Sequence, residues 1–391
     1  MSPPPKPLCL PRLLLAALAL GAAALVGDEP PAPPAPERMP IVAKDTEGYA
    51  LPDPRVALAF PRDHGSHPSF RSEWWYLTAH ARSRRDGQRF GLQLTFFRSA
   101  GSPPAADGQP SEEQIHMAHA AVLDLAADRY RHEERLNREG WNARSAVGRL
   151  DAFNGNWSWR MTDPDTEAMR ARFSVNGDYR VALELRPLKS KTLFGDEGYS
   201  RKGADREAAS YYVSFTRLAL SGNIEVGGEN HSIEGLAWMD HEFSSSHLSQ
   251  GQIGWNWTSL ILDDGSELMA YVMRRADGHT DPHSTLALVD PDGNKTELKG
   301  DAFSWQPLRH WESPATGARY PVDCRIVWRG PEGRQRSVVV KTLRDSQELR
   351  GSLSGFDYWE GAGEAFDASG ARIGQAYTEL TGYAESLAGR F

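Results

Sequence analysis

Three ionisable side chains stand in a row at Asp240-His241-Glu242, directly after Trp238-Met239. An apolar run precedes them and Ser244-Ser245-Ser246 follows. Side chains alternate along a strand, so Trp238, Asp240 and Glu242 share one face and His241 takes the other. A carboxyl packed beside an indole in an apolar cavity loses hydration, which penalises its ionised form. It then stays protonated at neutral pH and can act as a general acid. Asp240, His241 and Glu242 are therefore the candidate catalytic residues. The competing reading is structural: a charge cluster in which Asp240 or Glu242 pairs with an arginine such as Arg71.

A second group is suited to binding rather than to bond-making. Glu73-Trp74-Trp75-Tyr76 sets one carboxylate beside three aromatics. On a strand, Glu73 and Trp75 share a face, and Trp74 and Tyr76 share the opposite one. One indole can then line a cavity while its neighbour packs elsewhere. With Trp238, Trp255, Trp257, Tyr271, Tyr358, Glu360 and His119, these residues form the candidate ligand-binding set. Glu73 and Glu360 also have a plainer reading, as rim groups that fix a strand. His116 and His119 fall on opposite faces if Gln114 to Leu123 is a strand, and on one face if it is a helix. His64, His67, His116, His119, Asp240 and His241 are conceivable metal ligands, but their spacing matches no compact zinc site, and no metal is expected.

Several chemistries lack their motifs. There is no Walker A loop, dinucleotide-binding fingerprint, Gly-x-Ser-x-Gly elbow, His-Glu-x-x-His or paired CxxC. No cofactor is called for. A net charge of -8 argues against nucleic acid as a partner.

The elements that must position these side chains are β-strands. Trp74 to Leu77 runs into Arg84-Arg85-Asp86-Gly87, and Phe90, Leu92, Leu94 and Phe96 leave it. Asp-Gly between two β-rich runs predicts a hairpin, because Gly takes the positive φ of the turn. The pattern returns at Gly254-Trp255-Asn256-Trp257, turns at Asp263-Asp264-Gly265, and continues through Leu268 to Arg274. This weak internal repeat suggests two β-domains of similar build. Trp157 and Trp159 stand at period two. With 36 glycines and 26 prolines the chain favours many turns over long helices. Gly195 to Gly203 reads as a solvated connection, with the rim of a barrel mouth as its other reading.

Lys6 and Arg12 precede an apolar run from Leu13 to Val26, short for a membrane span and suited to a secretory segment. Residues 1–28 therefore read as a signal peptide, with an uncleaved anchor as the alternative, and 29–48 as a Pro-rich linker. A secreted or periplasmic location follows. Of the two cysteines, Cys9 lies in that segment, which leaves Cys324 as a lone buried apolar side chain.

The same segments carry a family resemblance. Asp63-His64-Gly65-Ser66-His67-Pro68, Arg71 to Thr78, Arg89 to Arg98, Met117-Ala118-His119-Ala120 and Gly198 to Gly203 fit its pattern. So do Gly235 to Asp240, Asp264-Gly265 with Glu267-Leu268-Met269, and Tyr358-Trp359-Glu360-Gly361. Together they resemble the AttH / carotenoid 1,2-hydratase (CrtC-like) family of predicted secreted hydrolases, from about residue 49 to the C-terminus. The resemblance implies an all-β fold of two consecutive lipocalin-like (calycin) antiparallel β-barrel domains, 49–246 and 247–391. It also implies a hydrophobic isoprenoid or lipid ligand held in a barrel, while the N-terminal segment is what suggests envelope or membrane association. Asp240, in the Trp-x-Asp motif, would supply the acid of a hydratase. It would protonate a C=C bond to give a tertiary carbocation that faces the Trp238, Trp255 and Trp257 rings before water captures it. His241-Glu242-Phe243 departs from the family's Arg-Glu-Trp and changes the charge beside Asp240. A non-catalytic lipid carrier is the alternative. A hydrolase finds no nucleophile–base pair in the sequence.

Overall fold

The computed structural model describes residues 44–388 apart from 46, 106–108, 247 and 331. The secretory segment and most of the linker lie outside the described residues. Strands form where apolar residues alternate or run continuously, and turns form where Asp-Gly, Asn-Gly or Gly-Gly pairs permit a positive φ. Both predicted hairpins are present. Ser72–Ser83 pairs with Arg89–Ala100 across a turn whose Gly87 has φ 76°, and Gln252–Leu262 pairs with Glu267–Arg275 across Gly265 at φ 90°.

Every ladder is antiparallel, and the strands gather into two sheets that curl into a near-barrel, a lipocalin-like build. The larger sheet runs from edge to edge as Arg129–Arg138, Gln114–Asp124, Arg89–Ala100, Ser72–Ser83, Glu229–Ser246 and Ala209–Val226. It continues through Tyr179–Pro187, Ala168–Val175, Trp157–Asp163, Asp151–Asn154 and Ala143–Ser145. Short strands Thr192–Leu193 and Tyr199–Arg201 hang on Ala209–Val226. The second sheet runs Lys295–Lys299, Thr285–Val289, Glu267–Arg275, Gln252–Leu262, Arg372–Leu380, Tyr358–Phe366, Gln335–Thr342, Arg319–Arg329 and Phe303–Glu312. No α-helix occurs among the described residues.

The central strands are buried on both faces, which explains their near-continuous hydrophobicity. One face of Ser72–Ser83 sends Trp75, Leu77 and Ala79 into the core of the larger sheet, with Leu94, Phe96, Trp157, Trp159 and Met239. The opposite face sends Tyr76 into a second cluster, between the sheets, with Tyr212, Trp238, Trp257, Met269, Tyr271 and Tyr377. Leu260, Leu268, Val272, Cys324, Ile326 and Val338 fill the core of the second sheet. Each fully buried aromatic removes about 150–250 Å² from water, worth roughly 4–6 kcal/mol at about 25 cal/mol per Å² before entropic costs. The sheets approach closely where Gly91 faces Ala362. A Cβ on Gly91 would lie 2.7 Å from the Ala362 Cβ, so glycine sets that spacing. Cys324 is a free, buried thiol, as the sequence indicates.

Candidate active site

The seam between the sheets opens into an aromatic cleft. Its walls come from the larger sheet through Trp74, Tyr76, Tyr212, Asp240 and Glu242, and from the second through Trp255, Trp257, Tyr271, Tyr358 and Glu379. The cleft is slender, with a volume of about 70 Å³. It is lined from both sheets. The reason lies in the register: Tyr76 pairs with Asp240 and Asp240 with Ser214, so the cleft-facing side chains of three neighbouring strands turn outward from the first core together.

Asp240 is buried at the base of this cleft, 3% exposed. Tyr212 Oη donates to its Oδ2 at 2.8 Å, Trp238 Nε1 to its Oδ1 at 2.6 Å, and the Ser214 hydroxyl also donates to Oδ1. Burial pushes its pKa up to about 7, although the three donors pull the other way. Among the described residues it makes no ion pair; the nearby Lys202 ammonium feels its charge but pairs with Glu242. Lys202 Nζ lies 2.8 Å from Glu242 Oε2 and over the rings of Tyr212 and Tyr271, at 4.4 and 4.2 Å. Ser210 also donates to Glu242. The pair of carboxyls thus divides: Glu242 is an ion-paired wall group, while Asp240 is a desolvated acid.

A third carboxyl, Glu379, stands in the wall with Trp255 Nε1 donating at 3.2 Å, and burial raises its pKa to about 7. Glu360 lies behind Tyr76, whose hydroxyl donates to its Oε1 at 2.5 Å, and burial holds it well above the usual carboxylate range. His119 sits behind Tyr358, with Nδ1 2.9 Å from the Tyr358 hydroxyl and Nε2 3.1 Å from Glu134. Both Glu360 and His119 act on wall tyrosines rather than lining the cleft.

His241, Glu73 and Trp75 do not reach the cleft. They occupy the opposite face of the same strands, with Trp75 stacked on His241 at 4.9 Å. Glu73, fully buried, accepts from the Arg98 guanidinium at 3.1 Å, and its Oε1 meets His67 Nδ1 at 2.8 Å and His241 Nε2 at 2.9 Å. Burial opposes its charge, yet His67, His241 and Arg98 together hold its pKa well below the usual range. His67, Glu73 and His241 bring ligand-type atoms within 4.8 Å of one another. Arg98 and His67 both face Glu73 there with positive charge, and His241 Nδ1 is left buried without a hydrogen-bond partner. His64, His116, His119 and Asp240 stand apart from it. Arg71 pairs with Asp45 and Glu47, not with Asp240 or Glu242.

The sequence profile of the AttH-like family matches residues 51–383. The chain belongs to the AttH-like family. An AttH protein of Nitrosomonas europaea of known crystal structure is 35% identical, with a TM-score of 0.76 over 85% of this chain and 99% of that one. Kievitone hydratase of Nectria haematococca superposes with a TM-score of 0.64 at 14% identity, over 90% of this chain and 98% of that one. CghA superposes with a TM-score of 0.52, also at 14% identity, over 86% and 96%. The last two likenesses concern the fold alone. No curated protein sequence matches the chain.

In this AttH-like chain the structure brings to the cleft residues that the sequence did not single out: Tyr212, Lys202, Glu379, Phe97 and Met273 line it, and Ser214 bonds Asp240. Lys202 sits in the Gly195–Gly203 loop that reads as a solvated connection. It follows Arg201 directly, and nothing local tells which of the two cations turns inward; only the fold buries Lys202 and brings it to Glu242. Tyr212 and Ser214 stand at period two on an apolar strand, the same alternation that exposed Trp238, Asp240 and Glu242.

Proposed function

We propose that this AttH-like protein is a cofactor-free hydratase acting on the end of a hydrophobic, isoprenoid-type chain. The observation that carries the reading is Asp240: a buried carboxyl with a pKa near 7, three hydrogen-bond donors and no ion pair among the described residues. Its proton adds to one carbon of a C=C bond, and the positive charge develops on the more substituted carbon. The Trp255 and Trp257 rings in the wall offer π faces to that charge, worth about 0.5–2 kcal/mol each. Water then forms the C–O bond and returns a proton to the carboxylate, so the acid is regenerated. A cleft of about 70 Å³ suits a chain end rather than a whole polyene, the remainder lying beyond the mouth.

The second reading is a lipid carrier that performs no chemistry. The Lys202–Glu242 pair favours it to the extent that half of the carboxyl pair is structural. In both readings the partner is a hydrophobic small molecule. A secreted or envelope location is proposed from residues 1–28 alone.

Mass spectrometry of lipids co-purifying with wild type and Asp240→Asn separates the two. Hydrated product on wild type with its unsaturated precursor on the variant supports the hydratase. The same unmodified lipid on both assigns the cleft to carriage.

A further inference from the structure

At the far side of the seam lies a second concavity, broad and basic, of about 810 Å³. His80, Gln375, Trp238 and Tyr377 line the packed region between it and the aromatic cleft. Its floor is made of small or apolar residues, among them Ala81, Ala219 and Gly235. A Cβ on Gly235 would fall 1.9 Å from the carbonyl oxygen of His80 on the paired strand, so no side chain is tolerated at that lining position. Its walls carry Arg82, Arg84, Arg89 and Arg186 from the larger sheet and its hairpin turn, and Arg372 from the second.

These five guanidiniums are short of counter-charge. Arg82 and Arg84 share Glu234, each at 3.1 Å. Arg89 and Arg372 share Glu364 Oε1, at 2.7 and 3.3 Å. Arg372 also meets Asp263 at 2.9 Å. Arg186 has no ion pair among the described residues, and Glu184, two residues away, is taken by Arg170 at 2.6 Å. Five positive charges therefore face three carboxylates, an excess of two, in a protein whose net charge is -8. Both shared carboxylates hold their arginines in place while leaving donors of each fork unused.

We propose that this groove binds a phosphate or pyrophosphate group, free or carried on a lipid. Planar guanidinium forks approaching from two walls match the tetrahedral oxyanion, which accepts bidentate bonds from more than one direction. The small-residue floor leaves depth for the anion, and the overall acidic surface repels long polyanions while the local excess attracts a compact one. The groove is independent of the hydration chemistry and does not rest on it.

Isothermal titration of the full chain with inorganic pyrophosphate tests this, at low salt and with potassium chloride matched for ionic strength. Sedimentation with phosphatidylcholine vesicles containing phosphatidic acid is run beside it. The comparison protein is Arg84→Ser/Arg186→Ser, whose side chains are solvent-exposed and whose melting temperature should match wild type. Pyrophosphate binding that weakens tenfold or more in the variant supports a site for the free anion. Vesicle binding alone, lost in the variant, supports the lipid-borne group. Binding of neither probe, or equal binding by wild type and variant, overturns the proposal.

Discussion

Trp257 reaches Asp240 through a single hydroxyl. Its indole N–H donates to Tyr212 Oη at 3.0 Å, and that hydroxyl donates onward to Asp240 Oδ2 at 2.8 Å. Trp257 belongs to the second sheet, and Tyr212 and Asp240 to the first. The proton on Asp240 is therefore governed by how the two sheets dock, not by its own strand alone.

Removing that hydroxyl should change the acid. In Tyr212→Phe, Asp240 loses a donor that favours its ionised form, so its pKa should rise further above about 7. The Trp257 N–H loses its acceptor, at a cost of about 1–3 kcal/mol. An infrared titration of the protonated-carboxyl band, wild type against variant, should show the midpoint moving upward. An unchanged midpoint would mean that Tyr212 does not act on Asp240.

Stability should record the same group. Asp240 has a folded pKa raised from 3.8 to about 7, so the folded state favours its protonated form. Its contribution is complete below about pH 4 and is lost as pH rises through about 7. The shift of about three units corresponds to roughly 4 kcal/mol, an upper bound set by burial. Asp240→Asn cannot ionise. Urea denaturation from pH 4 to 8 should show wild type losing stability relative to the variant over that window. Parallel curves would rule out a desolvated acid. As a rate effect, any hydration dependent on protonated Asp240 should fall as pH rises past about 7.

On the opposite face, Glu73 should matter for folding rather than chemistry. Arg98 is 1% exposed, and burial pulls its pKa down while Glu73 pulls it back up. Glu73→Gln preserves shape but strands Arg98 without its counter-charge and leaves His67 only Asp63, at 3.4 Å. Breaking a buried pair in this way costs about 3–5 kcal/mol. Chemical denaturation measures it. A loss below about 1 kcal/mol would show that the network is not held by Glu73. Any ligand that wild type is found to bind in the cleft should also be bound by this variant wherever it folds.

Much of this molecule was legible locally. The period-two alternation assigned Trp238, Asp240 and Glu242 to one face and His241 to the other. The same rule separated Trp74 and Tyr76 from Glu73 and Trp75. Asp86-Gly87 and Asp264-Gly265 announced both hairpins, because a positive φ there costs glycine little. These features depend on neighbours a few residues away, and a strand enforces them wherever it lies.

Which face becomes a site is another matter. The strand Ser72–Ser83 carries aromatics on both sides, Trp75 with Leu77 and Ala79 on one and Trp74 with Tyr76, Thr78 and His80 on the other, and its sequence does not say what covers the second face. Proximity along the chain grouped His241 with Asp240, yet the pleat sends it to Glu73, 168 residues away. Lys202, Tyr212 and Glu379 join Asp240 from separate strands and a loop, through register set by long-range pairing. Even the acidity of Asp240 is tertiary. Desolvation requires the second sheet to close over it, and a sequence can place a carboxyl beside an indole without saying whether water is kept out.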